Sequence, residues 1–153
     1  MSPRGGVWVV AQFVLMGFVV AAAFVGPGWP AGGIRFGLLV VGAGLACAGA
    51  AQAAAAFRAF GETPTPFPEP RDGARLIETG PFARVRHPIY GGVLGVFAGI
   101  GFATRPAALG IALVLGLLWE GKARTEERRL AARFPNYAAY AMRVRRRFVP
   151  GVW

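Results

Sequence analysis

The chain has 153 residues, enough for one domain. Hydrophobic residues make up 55% of it, 23 positions are glycine and the mean hydropathy is +0.48, which excludes an ordinary soluble globular protein. One cysteine and one histidine exclude an internal disulfide and the usual zinc site of three or four protein ligands, so no metal centre is expected. The net charge of +10 flanks apolar segments instead of forming a soluble basic face, so anionic lipid headgroups fit it better than nucleic acid.

Val7 to Val25 is a run of 19 uncharged residues, long enough to cross a hydrocarbon core of roughly 30 Å. Arg4 ahead of it and Ala21-Ala22-Ala23 within it also permit a signal peptide, but the apolar run is long for one. Gly26-Pro27-Gly28-Trp29-Pro30 is a turn, with Trp29 placed as an interface anchor. Phe36 to Phe57 is a second uncharged run, in which Gly42, Ala46 and Ala50 recur every four residues and predict a thin face for close helix packing. Cys47 lies in this run and reads as a small packing residue.

Arg58 to Pro88 is a polar loop. Within it, Thr63 to Pro70 carries proline at every second position, which predicts an extended, polyproline-like strap across the membrane face; a proline-recognition ligand is the alternative. Ile89 to Ala103 and Ala107 to Trp119 are two shorter apolar runs split by Thr104-Arg105-Pro106. They predict a tight helical hairpin, with a re-entrant pair as the alternative. Gly91, Gly95 and Gly99 share one face of the first. From Glu120 onward the chain is polar. Leu130, Phe134, Tyr137, Ala138, Ala141, Val144 and Phe148 fall on one side at helical spacing, interrupted by Pro135, and Arg143, Arg145, Arg146 and Arg147 form a basic cluster suited to a phospholipid surface.

These runs predict a single all-α integral membrane domain. It has four transmembrane helices at about 7–25, 36–57, 89–103 and 107–120, a cytoplasmic loop and an amphipathic C-terminal helical tail. Of the 17 Lys and Arg residues, all but Arg35 and Arg105 then lie on the side of the termini and the 58–88 loop, so the positive-inside bias places both termini and that loop in the cytoplasm. The compact chain, without an organelle-retrieval tail, suggests a bacterial inner membrane.

The chemistry concentrates in Arg86-His87-Pro88-Ile89-Tyr90-Gly91-Gly92. Pro88 suits the first turn of a helix, and the residue before a proline avoids helical angles, so His87 is expected just outside that helix. A lone histidine there also fits a mere cap or interface anchor. The topology brings this stretch to the same membrane face as Glu126 and Glu127, with Lys122 and Arg124 within a turn of those acids. Taken alone, the acids amid Arg124, Arg128 and Arg129 would be a salt-bridged helix. Together, the groups supply the mixture of acids, donors and ring faces that a cofactor with an ammonium, a ribose and an adenine requires.

This arrangement resembles the isoprenylcysteine carboxyl methyltransferase family and the related phospholipid N-methyltransferases. The likeness runs over about residues 58–150, through Arg86 to Gly92, then Glu126-Glu127-Arg128-Arg129-Leu130, Phe134, Tyr137, Tyr140 and Arg145 to Pro150. It implies an integral-membrane methyltransferase using S-adenosyl-L-methionine, with a cofactor-binding region at about 74–92 plus 120–150. Carried over by position, it implicates Leu76, Ile77, Phe82, His87, Pro88, Ile89, Tyr90, Glu126 and Glu127 in cofactor binding. Lys122, with Arg124 as its competitor, would orient the substrate. Phe82 stands where the family often has an aromatic hydroxyl, and Phe134-Pro135 replaces a common Phe-Gly. The implied acceptor is a hydrophobic or lipid-linked molecule, methylated on a carboxyl oxygen in the isoprenylcysteine manner. Amine N-methylation and a non-catalytic lipid-binding subunit on the same scaffold are the rivals.

Overall fold

A computed structural model describes residues 3–61 and 75–153, so the proline-rich strap at 63–70 lies outside the described residues. The described residues form five α-helices and no strand: α1 (Pro3–Ala22), α2 (Gly33–Phe60), α3 (Pro88–Thr104), α4 (Pro106–Arg133) and α5 (Tyr137–Arg143). A single 3-10 turn, Gly80–Ala83, precedes α3. Three helices, α1, α2 and α4, are long and apolar enough to cross a membrane; α3 is apolar but has 17 residues. At 1.5 Å per residue that is only about 25 Å, against a hydrocarbon core of about 30 Å.

The helices pack in the order α2, α3, α4, α1. α3 and α4 form the expected helical hairpin, joined at Arg105. The opposite end from His87 is tied by side chains reaching backbone. Trp29, expected to anchor in the interface, donates its indole N–H to the Gly101 carbonyl at 3.0 Å, and Arg105 donates to the carbonyls of Ala23 and Gly26. The outer faces of α1, α2 and α4 carry Phe13, Phe18, Leu39, Val40, Leu113 and Leu117 exposed, the surface that lipid and not water would wet. Cys47 also lies on this exposed surface of α2, not in a packed seam.

The seam between α2 and α3 is built from glycine, as the small-residue patterns predict, but in a different register. Ala50 is exposed; the buried stripe of α2 is Gly42, Gly49, Ala53 and Ala56. A Cβ on Gly99 would lie 2.5 Å from the Gly42 carbonyl oxygen and 2.7 Å from the Ala46 nitrogen, so the backbones themselves are in contact. Gly92 and Gly95 continue the stripe against Ala53 and Gly49, whereas Gly91 faces the Phe148 carbonyl and the Gln52 amide. The register shifts because the face is chosen by a repeat of three and four residues together, not by four alone.

α4 departs most from expectation. The apolar run ends near residue 120, yet the helix continues to Arg133. Its 28 residues span about 42 Å, so its last turns outrun a bilayer core of about 30 Å and carry Glu126 and Glu127 beyond the apolar layer. Polar helix formers (Glu, Lys, Arg) extend a helix as readily as leucine does. The tail is also not one amphipathic helix. α5 has 7 residues, and beyond Arg143 the chain leaves helical geometry. Phe148, assigned to the tail's apolar side, is fully buried in the main core with Val19, Leu115 and Trp119.

The glycine seam makes a sharp prediction. Gly42→Ala should lower thermal stability by about 1–3 kcal/mol, the cost of overpacking. Gly44→Ala, on the open face of the same helix with nothing within 4 Å, should not lower it. Thermal unfolding in detergent distinguishes the two.

Candidate functional site

His87 stands just outside α3 with φ −126° and ψ 62°, and Pro88 takes the first helical position. The imidazole makes no capping bond to the helix, so it is not the simple cap. It lies between the two acids instead: Nε2 is 3.2 Å from Glu127 Oε1, and Nδ1 is 3.5 Å from Glu126 Oε2. One turn into α3, the Tyr90 hydroxyl donates to Glu126 Oε1 at 2.6 Å. The rings of His87, Tyr90 and Trp119 stack in series, with centroids 5.6 and 5.3 Å apart, and Phe148 closes one edge. Residues forty positions apart therefore converge on one end of the helix row.

Adjacent positions on a helix are rotated by about 100°, so Glu126 and Glu127 point different ways. Glu126 faces the ring stack. Glu127 faces the loop and tail, where Oε1 accepts from Arg86 Nε at 2.8 Å and Arg147 Nε at 3.1 Å, and Oε2 accepts from Arg147 Nη2 at 3.2 Å. Glu127 is thereby committed to ionic partners in the loop and tail, while Glu126 bonds Tyr90 and is electrostatically coupled to Lys122 and Arg129.

The tail docks on the His87 linker through main-chain bonds, Arg86 N–H to the Arg146 carbonyl at 2.9 Å and His87 N–H to the Arg147 carbonyl at 2.8 Å. Gln52 of α2 donates to the carbonyls of Pro88 and Phe148, both at 3.1 Å. Arg86 also donates to the Val144 and Arg145 carbonyls, at 2.7 and 2.8 Å. Arg147, expected in a lipid-facing cluster, instead turns inward to Glu127 and Glu120, and its hydrogen bonds to Glu127 hold its guanidinium above the usual arginine range. Arg143 pairs with Glu78 of the loop.

The other predicted residues fall around this junction. Leu76 packs against Tyr137, Tyr140 and Val144, with Leu130, Phe134 and Ala141 at the margin. Pro88 is buried, and Ile77 and Ile89 are half-buried. Phe82 is buried, and its carbonyl accepts from the Tyr140 hydroxyl at 2.8 Å. Burial pushes the Tyr140 phenol up to about 12 and raises Tyr137 above the usual range, so both remain neutral donors at physiological pH. Tyr137 Oη is buried with no hydrogen-bond partner among the described residues.

The two basic candidates separate. Lys122 is fully buried, donates from Nζ to Gln12 Oε1 at 2.8 Å and lies 5.0 Å from the Tyr90 ring centroid. Arg124 is exposed, pairs with Glu120 at 2.8 Å and lines an open groove of about 540 Å³ with Gly121, Glu127, Arg128, Ala131 and Arg147. Two positions along a helix is about 200° of rotation, which puts Arg124 on the far flank from the ring stack. The structure thus brings Lys122, and not Arg124, to the rings.

Residues 38–136, most of α2 and all of α3 and α4, match the phospholipid methyltransferase family model. The chain belongs to that family. It is a family of membrane methyltransferases that includes the isoprenylcysteine carboxyl methyltransferase-like proteins, which the His-Pro-x-Tyr and Glu-Glu motifs resemble. The cobalt-zinc-cadmium resistance protein CzcN of Cupriavidus metallidurans is 38% identical over 76 residues, covering 48% of this chain and 35% of that protein. The nickel-cobalt-cadmium resistance protein NccN of Alcaligenes xylosoxydans xylosoxydans is 32% identical over 75 residues, with the same coverage. The chain thus matches about a third of the length of these relatives.

Two residues at this end of the helix row, Arg86 and Gln12, are not singled out by the motifs. Arg86 lay inside a quoted motif, but its role appears only when the tail folds back on it. Gln12 lies outside the matched segment altogether.

Replacing Glu126 by Gln and His87 by Ala should each weaken S-adenosyl-L-homocysteine binding by about 1–3 kcal/mol, the scale of a lost charged hydrogen bond. Glu127→Gln should instead act mainly on stability, because it strips a partner from Arg86 and Arg147. Calorimetry and thermal unfolding on the three variants separate the roles.

Proposed function

We propose that this protein is an S-adenosyl-L-methionine-dependent methyltransferase of a bacterial inner membrane, both termini cytoplasmic, that methylates the carboxylate of a hydrophobic, lipid-linked acceptor of the isoprenylcysteine type. The observation that carries the reading is the convergence of His87, Tyr90 and Glu126 into one stacked, hydrogen-bonded junction at the end of the apolar helices.

The residues fit the cofactor's chemistry. Glu126 offers a carboxylate to an ammonium, the rings of His87 and Tyr90 offer faces, and the apolar cluster of Leu76, Phe134 and Tyr140 surrounds a buried phenol, Tyr137, with hydrogen-bonding capacity to spare. Ile77, Phe82, Pro88 and Ile89, all buried or half-buried, are the further apolar residues assigned to the cofactor. When bound, S-adenosyl-L-methionine supplies a methyl group on a sulfonium, already activated toward a nucleophile. An ionised carboxylate acceptor then requires no general base, so the protein's contribution is alignment and the exclusion of water. Lys122, buried against the rings, orients the acceptor carboxylate by charge. Trp119 and Phe148 keep the junction dry. The flank groove, with Arg124 and Arg128 on its wall, suits an anionic lipid headgroup.

Purified protein supplied with methyl-radiolabelled S-adenosyl-L-methionine and lipid extract should label a lipid-soluble product as a base-labile ester. A base-stable amine product would assign N-methylation in its place. No transfer, together with no heat from S-adenosyl-L-homocysteine at millimolar concentration, would leave the scaffold as a non-catalytic lipid-binding subunit.

A further inference from the structure

Lys122 is the only lysine in the chain; the other 16 of its 17 basic residues are arginine. It is also fully buried. The distinction matters physically. A guanidinium is a planar fork that sets its own bonding directions, whereas an ammonium on a flexible stem is a point charge that takes its direction from its surroundings. Whatever holds Lys122 therefore decides where its charge acts.

One of its partners comes from α1. Gln12 is 6% exposed, and in Pro3–Ala22 it is the only uncharged polar side chain. An amide in an apolar, membrane-crossing helix is costly unless its bonds are made. Its Oε1 accepts from two donors of α4, Lys122 Nζ at 2.8 Å and Trp119 Nε1 at 3.1 Å. The contact is fixed by close helix packing, since a Cβ on Gly121 would stand 3.0 Å from the Trp8 ring. An amide carbonyl gives the ammonium a direction while adding no charge of its own. A carboxylate in its place would satisfy the same donors but add a second negative charge beside Lys122, which is already coupled to Glu126. Glu126 lies one turn along α4 and Tyr90 lies across on α3, so the ammonium sits between the acid junction and α1.

We propose that Gln12 is a positioning residue that aims Lys122 at the acceptor's carboxylate, so that α1, which lies outside the family match, forms one wall of the acceptor site. The inference rests on the reading of Lys122 given under the proposed function. A purely structural amide would behave differently, because glutamate would replace it without loss.

The test uses the full chain in detergent with N-acetyl-S-farnesylcysteine as probe acceptor and [13Cε]lysine labelling, which yields a single lysine side-chain signal because Lys122 is alone. The probe should shift that signal in the unaltered protein. Gln12→Leu should raise the KM for the probe about tenfold or more, as loss of a hydrogen bond to a charged group does, with kcat and S-adenosyl-L-homocysteine affinity little changed. Gln12→Glu should raise KM as well while matching or exceeding the unaltered protein in thermal stability. Where Gln12→Leu fails to fold, Gln12→Asn, which withdraws the oxygen by one methylene, carries the same expectation. A lysine signal unmoved by the probe, or an unchanged KM in both Gln12→Leu and Gln12→Glu, overturns the proposal while methyl transfer itself stands. Failure of the unaltered protein to bind S-adenosyl-L-homocysteine overturns the underlying reading and the proposal with it.

Discussion

The arrangement depends on a division of labour between two neighbouring carboxylates. Glu126 and Glu127 are adjacent in sequence, and one step along α4 turns them toward different surroundings. Glu127 meets Arg86, His87 and Arg147, and so binds the loop before α3 to the tail after α5. Glu126 meets Tyr90 and the other edge of His87. His87 touches both, which makes it the joint between the ionic clamp and the stacked rings. Because these groups are largely shielded from solvent, leaving any one of them unpartnered would be costly, and the pairing fixes the geometry at the edge of the apolar layer.

Everything else serves to deliver those groups to one place. Lipid-facing helices gain little from hydrophobic association with one another, so close contact must come from shape. The glycine seam of α2 and α3 supplies it, bringing Gln52 under the Pro88 and Phe148 carbonyls. Gly91 is a special case, since it leaves room for the Phe148 carbonyl directly against α3. The tail can therefore lie flat on the start of α3, and the Phe148 ring can enter the core beside Trp119.

Much of this is legible in the sequence. Uncharged runs give the helices directly, because a bilayer core tolerates little else, and the charge bias then gathers His87, Lys122 and the acids at one end. The Pro88 start was readable for the same local reason that it forms. What the sequence conceals is what tertiary packing decides. The reach of α4 to Arg133 is hidden because hydropathy marks where lipid ends and not where a helix ends. Arg147 resembles any solvated arginine until the tail turns it onto Glu127 and Glu120. Arg124 and Lys122 are two positions apart and indistinguishable by motif, yet the helix sends one to solvent and the other to the rings. Gln12 is one polar residue in an apolar run, and that isolation is itself a signal.

The start of α3 and the polar end of α4 form a single junction. It can be measured without knowing any ligand. In a Cys47→Ser background, cysteines placed at 87 and 127 should be joined within one chain by a short bifunctional thiol reagent applied to membranes. Efficient intramolecular bridging is the expected result. Modification of both thiols without any bridge between them would contradict it.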